Sequence, residues 1–330
     1  MGSIVSLIAV IVLILIAYTG VKAANLHFLF GVVIPYAAVT VFLTGFIYRI
    51  LKWASVPVPF RIPTTCGQQK SLPWIKQNKI ENPSSPFWVV VRMALEVLVF
   101  RSLFRNLKTQ LTDGSRLVYG EAKWLWLAGL AFHWSLLIVL IRHSRFIFDP
   151  VPSFLHILEQ FDGFLQIGVP VLFVTGVVLL VSVTYLLIRR FFIPIVRYIS
   201  LPADYFPLFL IIAIAITGIE MRYFTKTHIV GVKELVMGLL TFNPKTPEGI
   251  GWIFYVHIFL VSALFIYFPF SKLMHMGGVF MSPTRNMVNN SRVKRHVNPW
   301  NYPVDVHTYE DYENDFREKM KSAGIPVEKE

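Results

Sequence analysis

The chain has 330 residues, of which 55% are hydrophobic and only 15% are charged, and its formal net charge is +12. A soluble domain carries about a quarter charged residues, so this composition indicates a membrane protein. The basic residues lie between long apolar blocks, as topology-setting charges do, which argues against nucleic acid as their partner. The single cysteine, Cys66, excludes a disulfide framework, a four-cysteine iron–sulfur site and a covalently attached haem.

Six apolar stretches are long enough to cross a bilayer, which requires about 20 mostly apolar residues. They are residues 3–21, 27–50, 123–147, 165–188, 205–223 and 251–274. The first lacks the positively charged start of a signal peptide, and its apolar run is long for one, so we expect an uncleaved span, with processing near Val21–Ala24 as the alternative. The sequence therefore predicts an all-α integral membrane protein with six transmembrane helices.

Two polar regions flank the last four spans. Residues 51–122 are predicted to form a cytoplasmic loop, and Phe87–Phe100 within it is apolar but too short to span. Arg92 and Glu96 lie four residues apart in that run, which predicts an amphipathic helix at the membrane surface. Residues 277–330 lack the apolar periodicity of a separate core, so we expect an irregular cytoplasmic tail that wraps a partner or is flexible.

The chain thus divides into two N-terminal spans (1–50), the cytoplasmic loop (51–122), a four-helix core (123–276) and the tail (277–330). Threading the spans with the N-terminus inside places 24 of the 31 Lys and Arg residues on the inner side. Positive charge favours the cytoplasmic side. We therefore expect a multi-pass protein of the prokaryotic cell membrane with both termini in the cytoplasm.

Four of the nine histidines lie in or at the ends of only two spans. His133 and His143 belong to the third span, and His257 and His275 belong to the sixth. An ionisable side chain inside a span costs several kcal/mol unless it is paired or bound. A lone histidine is as often a satisfied core residue or an interfacial anchor. Two on each of two helices favour two bis-histidine haems, because iron takes one imidazole from each face of the porphyrin.

The pairing follows from the antiparallel direction of spans three and six. His133 is predicted to meet His275 toward the inside, and His143 to meet His257 toward the outside. Along continuous helices the first helix separates its histidines by about 15 Å and the second by about 27 Å. Haem tilt and a kink at Pro269 would absorb this difference and leave the irons roughly 20 Å apart. The ten-residue spacing also turns His143 about 80° away from His133.

Several stretches resemble the DsrM family, the membrane cytochrome b subunits of the dissimilatory sulfite-reduction (Dsr) complex. They are IPTTCGQQK (62–70), ADYFPLFL (203–210), GIEMRY (218–223) and residues 257–278. This likeness covers nearly the whole chain. The histidine spacings also resemble the cytochrome b (gamma) subunit of respiratory nitrate reductase, over the last four spans. Members of that second family have five spans, so spans one and two depart from its pattern.

The resemblance implies a subunit that exchanges electrons with menaquinone through two haems b. It also implies a cytoplasmic iron–sulfur partner related to heterodisulfide reductase. Further expected partners are a periplasmic multihaem cytochrome c and additional membrane subunits. The DsrM likeness associates this electron transfer with anaerobic respiration and sulfite reduction.

Haem propionates are anionic and attract basic side chains. Four cations lie near the predicted ligands and are expected to contact propionates: Arg142, Arg145, Arg222 and Lys272. Arg142, which precedes His143 directly, is the strongest of them. Cations at helix ends also reach toward lipid headgroups, so their position alone leaves both roles open.

A quinone needs an apolar cleft that is open to lipid and a group that exchanges its proton. The outer loop 222–249 supplies His228 and Lys233 beside an apolar stretch, and Glu220 lies just inward. In the related nitrate reductase subunit the outer haem serves quinol, which favours this side. An ordinary interfacial loop with solvated charges is the alternative.

Two other kinds of protein compete with the dihaem cytochrome b. In a proton or ion transporter the histidines and arginines would line the path, but such proteins show paired half-repeats and broken spans, and this sequence shows no repeat. A scaffold that only anchors a soluble enzyme would not need four membrane histidines. No nucleophile–base constellation is present, so we expect an electron-transfer subunit without a self-contained catalytic site.

Overall fold

A computed structural model describes residues 2–57, 62–64, 66–105, 108–112, 116–120, 122–294, 303 and 305–329. Within these residues, six helices are long and apolar enough to cross a membrane: Gly2–Lys22, Leu29–Ala54, Lys123–Phe146, Val174–Phe192, Pro202–Phe224 and Trp252–Phe270. The six predicted helices are therefore confirmed. The predicted start of the fourth, residue 165, was wrong, because the chain turns at Gly168 (φ +78°) and Pro170 before the helix begins.

The described elements are mostly helices. In chain order the helices are α1 (Gly2–Lys22), α2 (Ile34–Ala54), α3 (Pro86–Val99), α4 (Arg101–Arg105), α5 (Lys123–His143), α6 (Ser153–Asp162), α7 (Val174–Phe192), α8 (Pro194–Ile199), α9 (Pro202–Ile219), α10 (Ile229–Leu240), α11 (Trp252–Tyr267), α12 (His275–Gly278), α13 (Pro283–Asn286) and α14 (Tyr309–Ser322). π-Helical turns at Leu29–Val33 and Glu220–Phe224 precede α2 and extend α9. Strands β1 (Lys108–Thr112) and β2 (Arg116–Gly120) form an antiparallel hairpin, an exception to the predicted all-α class.

The spans form one bundle in which α5 packs on α7, α7 on α9, α9 on α1 and α11, and α11 on α2. Buried apolar side chains fill the space between α1, α9, α10 and α11, among them Val10, Ala17, Leu210, Leu235 and Leu260. Many other apolar side chains of the spans remain exposed on the outside of the bundle. A lipid-facing surface has this character, because the acyl chains are as apolar as the side chains.

Contacts between spans define two ends of the bundle. At one end, Ser6 Oγ donates to Pro202 O (2.9 Å) and Tyr267 donates to Ala203 O (3.2 Å). We call this the basic end, because it holds the two segments richest in Lys and Arg, the loop between α2 and α5 and the segment after α11. At the other end the rings of Tyr18 and Trp252 lie 5.0 Å apart. We call that the opposite end.

The basic-end loop is ordered by a buried polar network around Asn82. Its side-chain nitrogen donates to Cys66 O (2.7 Å) and Gly67 O (2.8 Å). Asn289 joins the network, because its side chain donates to Asn82 Oδ1 (3.3 Å) and its backbone N–H to Pro83 O (2.7 Å). The loop is therefore tied to the chain that follows span six.

The sixth span ends earlier than the predicted residue 274. Helix α11 ends at Tyr267, where Pro269 removes a backbone donor, and Ser271 adopts an extended conformation (φ −119°, ψ 177°). A short 3₁₀ turn then leads to His275, the first residue of α12. The rise of about 27 Å expected of one continuous helix was thus wrong, since His257 and His275 belong to different helices.

The tail is not irregular as predicted, because it contains α14. Thr308 and Asp311 cap the start of this helix reciprocally, a capping box. Glu313 accepts hydrogen bonds from the backbone of Glu328 (2.7 Å) and Lys329 (2.9 Å), so the chain folds back on the helix. These hydrogen bonds hold the pKa of Glu313 below its ordinary value. Caps, a buried carboxylate and the buried side chain of Met320 stabilise this unit.

Candidate functional site

The imidazoles of His133 and His275 meet at the basic end of the bundle. Their ring centres are 5.9 Å apart and the ring planes are nearly perpendicular, at 86°. Two metal–imidazole bonds of about 2 Å, plus roughly 1 Å from each nitrogen to its ring centre, give about 6 Å across one metal. The separation therefore fits an iron held between the two rings. Perpendicular planes are compatible with this, because two imidazoles need not be coplanar to present Nε2 to one metal.

Both rings are oriented through Nδ1. His133 Nδ1 lies 2.7 Å from Gly129 O, and His275 Nδ1 lies 2.9 Å from Lys272 O. A carbonyl only accepts, so Nδ1 carries the proton and Nε2 keeps a lone pair that can coordinate a metal. The rings of Phe100 and Phe132 each lie 4.9 Å from that of His133 and cover it with apolar surface.

The second pair, at the opposite end, shows the same orientation. His143 Nδ1 lies 2.7 Å from Val139 O, and His257 Nδ1 lies 2.8 Å from Thr217 Oγ1. The Thr217 hydroxyl already donates to Ala213 O (2.9 Å), so its oxygen accepts from His257 Nδ1. The two histidines are within electrostatic range of each other. This pair too presents Nε2.

The four imidazoles differ from satisfied core histidines. None of them is fully buried by protein, although they lie in or beside apolar spans. Within the part of the chain that the structure describes, no hydrogen bond engages Nε2 of any of the four. A core histidine would use both nitrogens or be fully enclosed. The donor set therefore fits two bis-histidine haems, one toward each end of the bundle.

A cluster of charges lies at the end of α5, where Arg142 precedes His143. Arg142 Nε lies 3.0 Å from a carboxylate oxygen of Asp162, and the same carboxylate accepts from the backbone and hydroxyl of Thr175 (2.8 and 2.6 Å). The guanidinium carbons of Arg142 and Arg222 lie 4.0 and 3.8 Å from the ring centre of Phe173. Two groups this close to one centre must stack on opposite faces, so Phe173 lies between two cations.

The predicted propionate cations have different partners. Arg145 pairs with Glu159 (2.8 Å), and Lys272 pairs with Asp204 (2.7 Å). Arg142 is neutralised by Asp162. Arg222 donates to Val171 O (3.2 Å), and no described carboxylate lies within ion-pair distance of it. Of the four, Arg222 keeps the least compensated charge.

The predicted quinone residues are not gathered into one pocket by the contacts of the described chain. His228 accepts from the backbone N–H of Gly231 (3.3 Å) and so caps the start of α10, a helix that the sequence did not predict. Lys233 pairs with Asp149 (3.1 Å). Glu220 is the first residue of the π-helical turn that ends span five. Widened turns of this kind occur often at functional sites.

Sequence reasoning missed the residues that support the histidines. Thr217, Asp162 and Asp204 orient or neutralise their neighbours from other helices. One signal was available for Asp204, because an acidic residue at the start of an apolar span needs a partner. The partners of Asp162 lie at the end of α5 and at the start of α7, and nothing in their spacing indicates the contact.

Comparison with known proteins gives a consistent picture. The nitrate reductase gamma subunit family matches residues 85–296, which include the four histidines. The Hdr-like menaquinol oxidoreductase cytochrome b-like subunit of Archaeoglobus fulgidus is 50% identical over 84% of this chain and 85% of its own. The subunit of the same name from Archaeoglobus profundus is 43% identical over 81% of each chain. The respiratory nitrate reductase 1 gamma chain of Escherichia coli is 31% identical over 32% of this chain and 50% of its own.

Proposed function

Because the chain belongs to the nitrate reductase gamma subunit family, we propose that it is a membrane cytochrome b subunit that carries electrons between menaquinone and a partner protein. Two haems b are held by His133 with His275 and by His143 with His257. The observation that supports this most directly is the 5.9 Å separation of the first pair, with both Nδ1 atoms occupied. The bound haems would supply one-electron redox chemistry.

The chain's own residues orient and shield the two sites. Hydrogen bonds at Nδ1 hold each ring at a fixed rotation and raise the electron density at Nε2. Phe100 and Phe132 exclude water from His133. At the opposite end Arg222 is the best-placed cation for a propionate, ahead of Arg142, whose charge Asp162 already offsets. The sequence alone favoured the reverse order.

The quinone and the partners follow from the relatives. Two of them are named as subunits of an Hdr-like menaquinol oxidoreductase. We propose that menaquinone reacts at the opposite end, near Glu220, His228 and Lys233. A cytoplasmic iron–sulfur subunit related to heterodisulfide reductase would dock at the basic end, with both termini of this chain in the cytoplasm. The DsrM resemblance adds a periplasmic multihaem cytochrome c and further membrane subunits to the proposed complex.

The test is a spectrum of the purified protein. A dithionite-reduced minus oxidised spectrum should show a b-type α-band, and the pyridine haemochrome should give about two haems per chain. His156→Ala is a matched control, because this histidine is exposed on α6 outside both pairs, and it should keep both haems. A colourless protein, purified from cells that synthesise haem, would refute the proposal.

A further inference from the structure

Helices α3 and α4 show an unusual distribution of polar and apolar side chains. Arg92 is only 2% exposed and Glu96 only 8%, whereas the apolar Val90 and Leu98 are 67% and 50% exposed. The Arg92 guanidinium donates to Thr284 O (2.8 Å), inside the protein. A helix at a water-facing surface would turn its charges outward. Here the charges face the protein and the apolar side faces away from it.

The end of α3 packs on α5. The indole of Trp126 donates to Val99 O (2.6 Å), the indole of Trp134 donates to Leu98 O (3.0 Å), and Phe100 contacts His133. Helix α5 begins at Lys123, so Trp134 lies about 16 Å along its axis at 1.5 Å per residue. A bilayer core is about 30 Å thick. The turn after α3 is therefore held by side chains from the start and the middle of α5.

The chain then returns toward the basic end. The backbone N–H of Ala122, just before α5 begins, donates to Phe104 O (3.2 Å), and the ring of Phe104 lies 5.2 Å from that of Trp126. Helix α4 has five residues and rises about 8 Å, so the turn before it lies roughly a quarter of the bilayer core from the start of α5. Together α3 and α4 form a helical hairpin with Phe100 at its tip (φ 51°).

Polar groups near the tip are satisfied within the protein. The last carbonyls of α3 accept from the two indoles. The Glu96 carboxylate accepts from the backbone N–H (3.2 Å) and the hydroxyl of Ser102, at the start of α4. In hydrocarbon every backbone donor and acceptor needs an internal partner, whereas a turn in water can leave them to the solvent. The tip has the hydrogen bonding of a membrane-buried turn.

We propose that α3 and α4 form a re-entrant hairpin, which enters the membrane from the basic end, packs on α5 and exposes Val90 and Leu98 to lipid acyl chains. The hairpin adds a short membrane-entering element to the six spans and brings the ring of Phe100 to that of His133. This proposal does not depend on bound haem. It replaces the expectation of a helix lying flat on the membrane surface.

Nitroxide labels measure the depth of each position. In a Cys66→Ser background, single cysteines are introduced by Leu98→Cys and Val90→Cys, and the full chain is reconstituted in phosphatidylcholine vesicles. Leu137→Cys on α5 reports the membrane interior, and Trp74→Cys, at an exposed aromatic residue of the basic-end loop, reports the aqueous side. Collision rates with oxygen, which concentrates in lipid, and with a water-soluble nickel chelate are compared by electron paramagnetic resonance.

The proposal requires the oxygen-to-nickel ratio at Leu98 to be several-fold higher than at Trp74 and close to that at Leu137. The ratio at Val90, nearer the start of α3, must lie between those of Leu98 and Trp74. Equal ratios at Val90 and Leu98 would mean a flat helix and would overturn the proposal. Low collision rates with both reagents would mean that protein, not lipid, covers this face, which would overturn it too. Val97→Cys replaces Leu98→Cys if the latter does not fold.

Discussion

The two histidine pairs are held by different means. At the opposite end, His143 and His257 lie on regular helices, and one of them is oriented by a threonine of a third helix. At the basic end, His133 lies on a regular helix, but His275 follows a break in the chain. The position of His275 therefore depends on what holds the segment after α11 in place. Continuous helices position His143 and His257, whereas a tertiary contact positions His275.

That tertiary contact is the ion pair between Lys272 and Asp204. Lys272 Nζ lies 2.7 Å from the Asp204 carboxylate at the start of α9, and the carbonyl of Lys272 accepts from His275 Nδ1. One residue thus links a neighbouring helix to the orientation of the imidazole. The opposite end has a charge cluster instead. Asp162 pairs with Arg142, and Arg142 and Arg222 both stack on Phe173. We therefore expect substitutions at the basic end to disturb the position of His275, and substitutions at the opposite end to change the electrostatic potential there.

The largest expected effect comes from removing one ligand of each pair. His275→Ala should lower the haem content from about two to about one per chain, and His257→Ala should do the same. The two variants should lose different haems, because each substitution opens only one pair. A potentiometric titration followed at the α-band measures this, since each variant should keep one of the two reduction steps of the wild type.

The pairing itself is tested by the remaining two ligands. In the same titration, His133→Ala must lose the same reduction step as His275→Ala. His143→Ala must lose the same reduction step as His257→Ala. If His133→Ala and His257→Ala instead remove the same step, the pairs are assigned wrongly. His156→Ala controls for the loss of a histidine outside both pairs.

A smaller effect is expected from Asp204→Asn. Asparagine still caps α9, where Asp204 accepts from Leu201 N (3.0 Å), but it removes the charge that holds Lys272. Lys272 is 70% exposed, so solvent screens the pair, and we expect a loss of at most about 1 kcal/mol. That corresponds to about fivefold weaker haem binding at the basic end. The rate at which each of the two haems transfers to apomyoglobin measures this weakening.

The matched control is Lys272→Gln, which breaks the same ion pair from the other side. If the pair positions His275, the two substitutions should have equal effects, and the double variant should be no worse than either alone. Additive effects, or faster release at the opposite end, would show that Asp204 does not act through Lys272.

The spans could be predicted from sequence because the requirement for about 20 apolar residues is local. Counting antiparallel crossings also predicted that His133 would approach His275, and their rings do so. The break at Ser271 could not be predicted beyond a kink at Pro269, because the path of the chain after the proline depends on Asp204, which is distant in sequence. Helix α14 was missed for a different reason, since its capping box and the hydrogen bonds of Glu313 do not show in apolar periodicity.

The smallest effect, and the one that tests the electrostatic half of the comparison, is expected from Asp162→Asn. The substitution removes a buried negative charge and leaves Arg142 uncompensated. Extra positive charge stabilises the reduced haem, so the midpoint potential at the opposite end should rise by about 20 mV, or about 0.5 kcal/mol for one electron. The basic-end potential should not change. Glu159→Gln removes the carboxylate of the more exposed Arg145 pair and should give a smaller rise. A fall in potential, or an equal shift at both haems, would show that this cluster does not act locally on the His143 pair.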